Sequence, residues 1–407
     1  MRTHGSRPPG RPGRAAAWAV LVAGLCGLGA APAHAVSGVQ PPLDDTAYRP
    51  AAGFVTDGST VMNAGELHVH LTNGGLIGSA PGSRARFSEA PSGQWPAGSG
   101  IEYLYSADLW VGGRILGEKV VSMGGLYSEW LPRDELEATI YEAVNGQIIR
   151  PLGNPRAGGN RKPMPGPDDD GDGLVDEEIL NGRDDDGDGA IDEDFGQIGS
   201  QMMVCTTYDN TRLAQERYPD HTPLNLEAVQ HAVQWENDAV DDFVGFDYTI
   251  TTVGVIDAEH VYIGFFADCD IGPRGSGDVA SDDMAGSWRG MVRASDGGWV
   301  PIDVGYMYDA AENDRVEGYF GVLFLGHDID PTGRNAPQQV GLRTFQSFSS
   351  NAAFEQGGDP TNDEQAYELL SALPRDRDAN TRPGSQADFR ILVSAGPFRR
   401  LEPGRSL

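Results

Sequence analysis

The stretch from Asp168 to Asp194 reads DDDGDGLVDEEILNGRDDDGDGAIDED and repeats with a period of 16 residues. Asp168, Asp170, Asp172, Gly173 and Asp176 recur as Asp184, Asp186, Asp188, Gly189 and Asp192. The pairs between them, Leu174-Val175 and Ala190-Ile191, stay apolar. Fourteen acidic residues stand against a single base, Arg183. Charge of one sign at this density repels itself and leaves a bare chain extended. A plain acidic spacer, however, needs neither an exact period nor Gly at the same place twice. The repeat therefore points to something that neutralises the carboxylates at fixed positions.

A hard divalent cation does this. Calcium takes roughly six to eight oxygens at about 2.3–2.6 Å, and a tightly curled backbone with Asp at alternate positions aims short carboxylates at one point. Glycine after the third Asp permits the sharp turn that follows. The first predicted ligand set is Asp168, Asp170, Asp172, the carbonyl of Leu174, Asp176 and Glu177. The second is Asp184, Asp186, Asp188, the carbonyl of Ala190, Asp192 and Glu193. Val175 and Ile191 are expected to turn inward and pin each loop. Affinity is expected in the range of extracellular modules, roughly 10⁻⁴–10⁻³ M.

These residues resemble the Asp-rich calcium loops of EF-hands, dockerins and thrombospondin type 3 repeats. The resemblance covers 27 of 407 residues. It departs from the EF-hand where a bidentate Glu should close the shell: Ile179 and Phe195 stand there. No long amphipathic helix flanks either loop, so an opening helix pair is not implied. Glu177, Glu178, Glu193 or an acid of the neighbouring loop is left to complete the site. Such sharing is nearer the thrombospondin arrangement, although the cysteines of that family are missing.

Residues 1–35 have the layout of a secretory signal peptide. Arg2, Arg7, Arg11 and Arg14 precede an apolar run from Ala15 to Gly29, and Ala33-His34-Ala35 is a small-residue cleavage site. Leu25 before Cys26 does not suit a lipoprotein signal. The apolar run is too short to span a bilayer, and no later stretch is apolar enough. The expected location is secreted, extracellular or at the surface of a bacterial cell. The formal charge is −30, and a leader with four Arg and no acid leaves the remainder more negative still. Nucleic acid and anionic lipid are thereby disfavoured as partners. Beyond the leader stand two cysteines, Cys205 and Cys269. In an oxidising compartment they could pair, closing a loop worth about 4 kcal/mol in the chain-entropy account, or remain as two buried thiols.

Short alternating runs between Gly, Asp, Asn and Pro dominate the rest, which is the pattern of antiparallel β-sandwiches. The expected fold is mainly β. Two β-sandwich-like domains, 36–150 and 197–407, are joined by a Pro/Gly linker (151–167) and the Asp-rich segment (168–196). In the first, 66–71, 101–111, 114–122 and 138–144 read as strands, with Gly112-Gly113 as a turn signal. His68 and His70 share a strand face; half of a metal site is one reading, polar positions toward solvent the simpler one. In the second, 201–208, 243–253, 261–267, 304–308, 318–325, 341–348 and 389–393 read as strands. One short helix near the C-terminus is announced by Thr361-Asn362-Asp363-Glu364, carries the stripe Ala366, Leu369, Leu370 and Leu373, and stops at Pro374. Asp268, Asp270, Asp282 and Asp283 offer a third candidate cation site, against the plainer reading of an acidic surface loop.

Phrases such as WPAGSGIEYLYSADLWVGG, DDFVGFDYTITTVG, VYIGFFADCDIG and DFRILVSAGPF resemble a group of uncharacterised secreted bacterial proteins that carry DDDGDG-type loops between β domains. Some of those end in a secretion or surface-sorting domain. This sequence ends at Leu407, where relatives of that kind continue, so truncation and release without an anchor are both open.

HExxH, G-x-S-x-G, P-loop and strand-led GxGxxG signatures are absent from the sequence. His327-Asp328-Ile329-Asp330 reads as a polar turn. Two functions of different class follow. One is a secreted, calcium-binding structural or adhesive protein with cell-surface glycans or proteins as partners, its loops ordering the junction between β domains. The alternative is a secreted carbohydrate-active or other hydrolase with structural calcium. Trp95, Trp288 and Trp299 lining an acidic groove would favour the hydrolase; Trp side chains packed inside the sandwich would favour the first reading.

Overall fold

A computed structural model describes residues 18–24, 58–81, 88–125, 128–133, 138–150, 168, 171–176, 178–276, 279–293, 297–311, 315–328, 340–350, 352–373 and 386–407. The expected linker 151–167, together with Asp170 and Glu177, lies outside them.

The chain is mainly β, as its alternating runs predict. The first strands are β1 (Trp18–Gly24), β2 (Ser59–Met62), β3 (His68–Thr72), β4 (Ser92–Gln94), β5 (Ile101–Glu102), β6 (Ser106–Ile115), β7 (Glu118–Met123), β8 (Tyr141–Val144) and β9 (Gln147–Arg150). After the Asp-rich segment come β10 (Gln201–Tyr208), the short helix α1 (Arg212–Arg217), β11 (Leu226–Gln234), β12 (Phe243–Thr252), β13 (Ala258–Asp268) and β14 (Gly272–Pro273). The last elements are β15 (Asp283–Arg293), β16 (Trp299–Asp309), β17 (Tyr319–Phe324), β18 (Leu342–Ser349), helix α2 (Asp363–Ser371) and β19 (Phe389–Leu401).

Two large sheets carry the architecture. One has nine strands in the order β15-β16-β17-β1-β12-β11-β10-β8-β9, the other five in the order β18-β19-β13-β6-β7. Strands from both sides of the Asp-rich segment enter both sheets. β8 and β9 pair alongside β10, while β6 pairs with β13 across Ile263↔Val111 and Phe265↔Leu109. This corrects the expected division into two sandwiches at 151–167, because β6 and β13 bury apolar residues on both faces and need partners on both edges. β1 falls inside the expected leader; its backbone runs parallel between β12 and β17.

The inner faces of the two sheets share one core. Leu109, Val111, Val261, Ile263 and Phe265 meet Met203, Ala228, Phe246, Tyr248 and Ile250. Phe246, Tyr248 and Ile250 are spaced by two, so the strand period puts all three on one side. Outside the five-stranded sheet, α2 buries Ala366, Tyr367, Leu369 and Leu370 against Trp110, Val121, Tyr262 and Leu392. Its cap is Asn362, whose Oδ1 accepts the Gln365 N–H at 3.0 Å. Glu364 instead pairs with Lys119 at 2.6 Å, and Leu373 is exposed past the helix end. Gly112 is not a turn. It lies within β6, where a Cβ would stand 2.6 Å from Leu370 Cδ1. The turn comes at Leu116-Gly117, both at positive φ. Among the described residues no helix is long and apolar enough to cross a membrane.

Cys205 and Cys269 are free and buried. Cys205 belongs to the nine-stranded sheet and Cys269 follows β13 of the five-stranded one. Facing sheets stand about 10 Å apart, whereas a disulfide needs Cα atoms within about 7 Å, so the expected alternative of a bridge is not realised. Burial pushes the Cys205 thiol up to about 12 and raises that of Cys269 as well.

Candidate metal centre

The segment 168–196 connects β9 to β10 over the outer face of the nine-stranded sheet. What holds it there is apolar. Leu180 and Phe195, each 1% exposed, pack with Tyr141, Ala143, Met202, Val204 and Val233. These two anchors differ from the ones the repeat suggested: Val175 is exposed and Ile191 only half-buried. The anchors sit at the ends of the repeats, next to the backbone bridge from Glu178 N–H to the Asp194 carbonyl at 3.0 Å.

The two repeats take the same backbone shape. Gly171 and Gly187 have φ of 94° and 93°, Gly173 and Gly189 104° and 103°, and Asp176 and Asp192 54° and 53°. The glycine values are ones a Cβ would disfavour, which is why Gly recurs after the Asp run. Asp168 Oδ1 accepts the Gly171 N–H and Asp184 Oδ1 the Gly187 N–H, both at 2.6 Å. Asp172 Oδ1 likewise accepts from Leu174 and Asp188 Oδ1 from Ala190, again at 2.6 Å. Each loop is thus curled by its own carboxylates.

In the second loop the oxygens converge. Asp184, Asp186 and Asp188 place carboxylate oxygens within 4.8 Å of one another, and so do Glu178, Asp186 and Glu193. Asp186 belongs to both groups. Glu178 crosses from the first repeat, buried, with Oε1 accepting the Asp185 N–H at 2.8 Å. The Oε2 atoms of Glu178 and Glu193 are buried with no hydrogen-bond partner. A buried carboxylate oxygen lacking a donor is costly, and an oxygen-seeking cation is the group that would relieve it. Desolvation first, then the charges of Glu178, Asp188 and Asp186, push Glu193 up to about 7. The donors are all hard oxygens of carboxylates, the set that suits calcium rather than zinc or copper.

Other predicted ligands do different work. Asp192 accepts the N–H groups of Asn181 at 2.8 Å and Gly182 at 2.9 Å and fixes the turn between the repeats. Burial pushes its carboxyl up to about 6. Asp168 and Asp172 of the first loop are exposed or at its rim, and Leu174 is exposed. Among the described residues no cation cluster includes Asp168, Asp172, Asp176 or Asp192. Glu178 is the site residue that the Asp pattern named only as a substitute; it lies two residues before the anchor Leu180 and is held to the second loop by the Asp194 carbonyl and the Asp185 N–H.

The third candidate is differently composed from the predicted one. Asp268 and Asp270 meet Asp388 within 4.8 Å, and Asp282 and Asp283 lie outside that cluster. Arg390 runs through it, 3.1 Å from Asp268 and 3.7 Å from Asp359, and also pairs with Asp388. Asp283 accepts the Ile271 N–H at 3.2 Å. His70 is buried rather than solvent-facing, with Nδ1 3.0 Å from the Gly78 carbonyl. Trp95 is buried and donates Nε1–H to Asp242 at 2.7 Å, while Trp288 and Trp299 are exposed on the β15–β16 hairpin.

No protein-family profile, curated protein or solved structure matches this chain.

Proposed function

We propose that the segment 168–196 binds calcium and that the protein is a secreted structural or adhesive β protein stabilised by it. The observation that carries this reading is the convergence of Glu178, Asp186 and Glu193, with two buried oxygens lacking donors, on the loop that Asp184 and Asp188 also line. Because the strands on either side belong to the same sheets, the ions would order the β9–β10 connection on the sheet's outer face rather than a hinge between domains. Each bound ion would cancel carboxylate repulsion that the anchors Leu180 and Phe195 otherwise oppose alone. The leader-like residues 1–35 and the acidic charge support export. Of the three tryptophans that separate the readings, Trp95 is packed inside the fold as this reading requires, while Trp288 and Trp299 are exposed on the β15–β16 hairpin.

Arg183, exposed and the sole base of the segment, supplies a direct test. Trypsin should cut after Arg183 slowly in calcium and at least roughly tenfold faster in EDTA, since cleavage follows the population of the opened loop. Equal rates in the two conditions would remove the ordering role.

A further inference from the structure

Between the calcium segment and the outer face of β10–β12 lies a cavity of about 280 Å³. That is near the lower end of the size of small-molecule sites. Its floor is a half-exposed sheet face on which Thr206, His231 and Thr249 stand beside Val229. The cross-strand pairs Thr206↔Val229, Val229↔Thr249 and Val204↔His231 place them side by side. Its roof is Asn181, Arg183 and Asp185 of the repeat.

The lining is apolar over its larger part, with polar side chains set into it whose charges balance. Arg133 lies 3.9 Å from Glu227, and Arg183 and Asp185 belong to the roof. The groups are held in place before any ligand arrives. The Arg133 guanidinium lies 3.4 Å from the Tyr208 ring centre, and Tyr208 donates its O–H to Glu227. Asp185 Oδ2 accepts from the Asn181 amide at 2.8 Å. Many donors and acceptors, no excess charge and an apolar strip of Val229 and Tyr141 suit a neutral polyhydroxylated ligand. A strongly charged ligand would leave two of the four ionised groups opposed. The roof is also tied to the cation cluster: the Asp185 N–H is bonded to Glu178, which clusters with Asp186 and Glu193.

We infer that this cavity binds one sugar residue of a neutral glycan, and that calcium in the second loop sets its affinity by fixing the roof. The inference rests on the calcium reading above and gives it a ligand. The full chain would be applied to an array of neutral glycans built from glucose, galactose, mannose and N-acetylhexosamines, in millimolar calcium and in EDTA. Binding to at least one should fall roughly tenfold or more in Thr249→Trp, which fills the cavity from its floor, and in Asn181→Ala, a milder change of the roof; EDTA should have a similar effect. Thermal melts of each variant in calcium confirm folding. No glycan bound while calcium still raises the melting temperature would overturn the sugar site and leave the calcium reading standing. Glycan binding unmoved by both variants would place it elsewhere and equally overturn the inference. Binding that both variants weaken and EDTA does not would overturn the coupling.

Discussion

Glu178→Gln should change stability in opposite directions with and without calcium. The substitution keeps Oε1 as an acceptor for the Asp185 N–H and removes only charge, so the geometry of the turn survives. In EDTA it relieves repulsion. Carboxylate oxygens of Glu178, Asp186 and Glu193 lie within 4.8 Å of one another. A like-charge pair at that distance costs about 0.9 kcal/mol at the dielectric of water and about 3.5 kcal/mol at an effective dielectric of roughly 20. Asp186 is exposed and Glu193, pushed up to about 7, is only partly ionised near neutrality. The lower end applies, and the variant should gain about 1–2 kcal/mol. In saturating calcium the same change removes a ligand; a hundredfold weaker site forfeits about 2.7 kcal/mol of linked stability, which outweighs the gain of the bare protein and leaves a net loss of about 1–2 kcal/mol. For a chain of this length about 1 kcal/mol moves the melting temperature by roughly 1.2 °C. Scanning calorimetry should therefore show the variant melting about 1–2 °C above wild type in EDTA and about 1–2 °C below it in calcium. A shift of the same sign in both buffers would refute the idea that Glu178 is held for a cation.

Three further outcomes follow from the fold. Asp363 is pushed up to about 7 by burial and then by Glu129, and Asp209 up to about 6 by burial. Beside them burial pulls His221 down, but Glu129, 3.1 Å away, with Asp209 and Asp363, outweighs it and leaves His221 above its ordinary value. The folded state thus binds more protons than the unfolded one from about pH 4 to above 7, so this cluster's contribution falls as pH rises through that window. Asp363→Asn should flatten the loss of stability between about pH 5 and 8 by an amount on the order of a few kcal/mol, read from urea melts; an unchanged slope would contradict the assignment. Gly112→Ala should destabilise by about 1–3 kcal/mol, because its Cβ would press on Leu370 of α2; a neutral result in denaturant unfolding would show that the helix yields without cost. Cys205 and Cys269, buried and with thiols pushed up, should react with a disulfide reagent only after denaturation, and rapid labelling of the native protein would place them wrongly.

Local pattern was legible where one short-range rule decides. Gln201–Tyr208 is the strand its alternation predicts, and β12 buries Phe246, Tyr248 and Ile250 as the period of two requires. The helix of residues 363–371 followed from its cap and stripe, with the cap one residue later than a Ser/Thr box would put it. Rules that share a signal were not separable. Gly112-Gly113 has no Cβ whether it turns or receives a helix, and only the packing of Leu370 tells which. Strand pairing across more than a hundred residues, such as β6 with β13, leaves no local trace, so one sandwich reads as two domains. In the Asp-rich segment the Asp and Gly spacing named the curled loops. It did not show that Leu180 and Phe195 anchor them, since those residues fall at unequal places in the two repeats. Nor did it show that Asp192 serves the turn while Glu178 crosses to the second loop.

Calcium titration by calorimetry, on the protein and on the double variant Asp172→Asn with Asp188→Asn, tests the central claim most directly. Both side chains keep their Oδ1 acceptor for the next turn, so the loops retain their curl and lose charge. The account predicts binding by the wild-type protein in the range of roughly 10⁻⁴–10⁻³ M, involving the second loop at least, and loss of that binding in the double variant. No heat at millimolar calcium, with the same result for both proteins, would contradict it and leave the repeat as an acidic spacer.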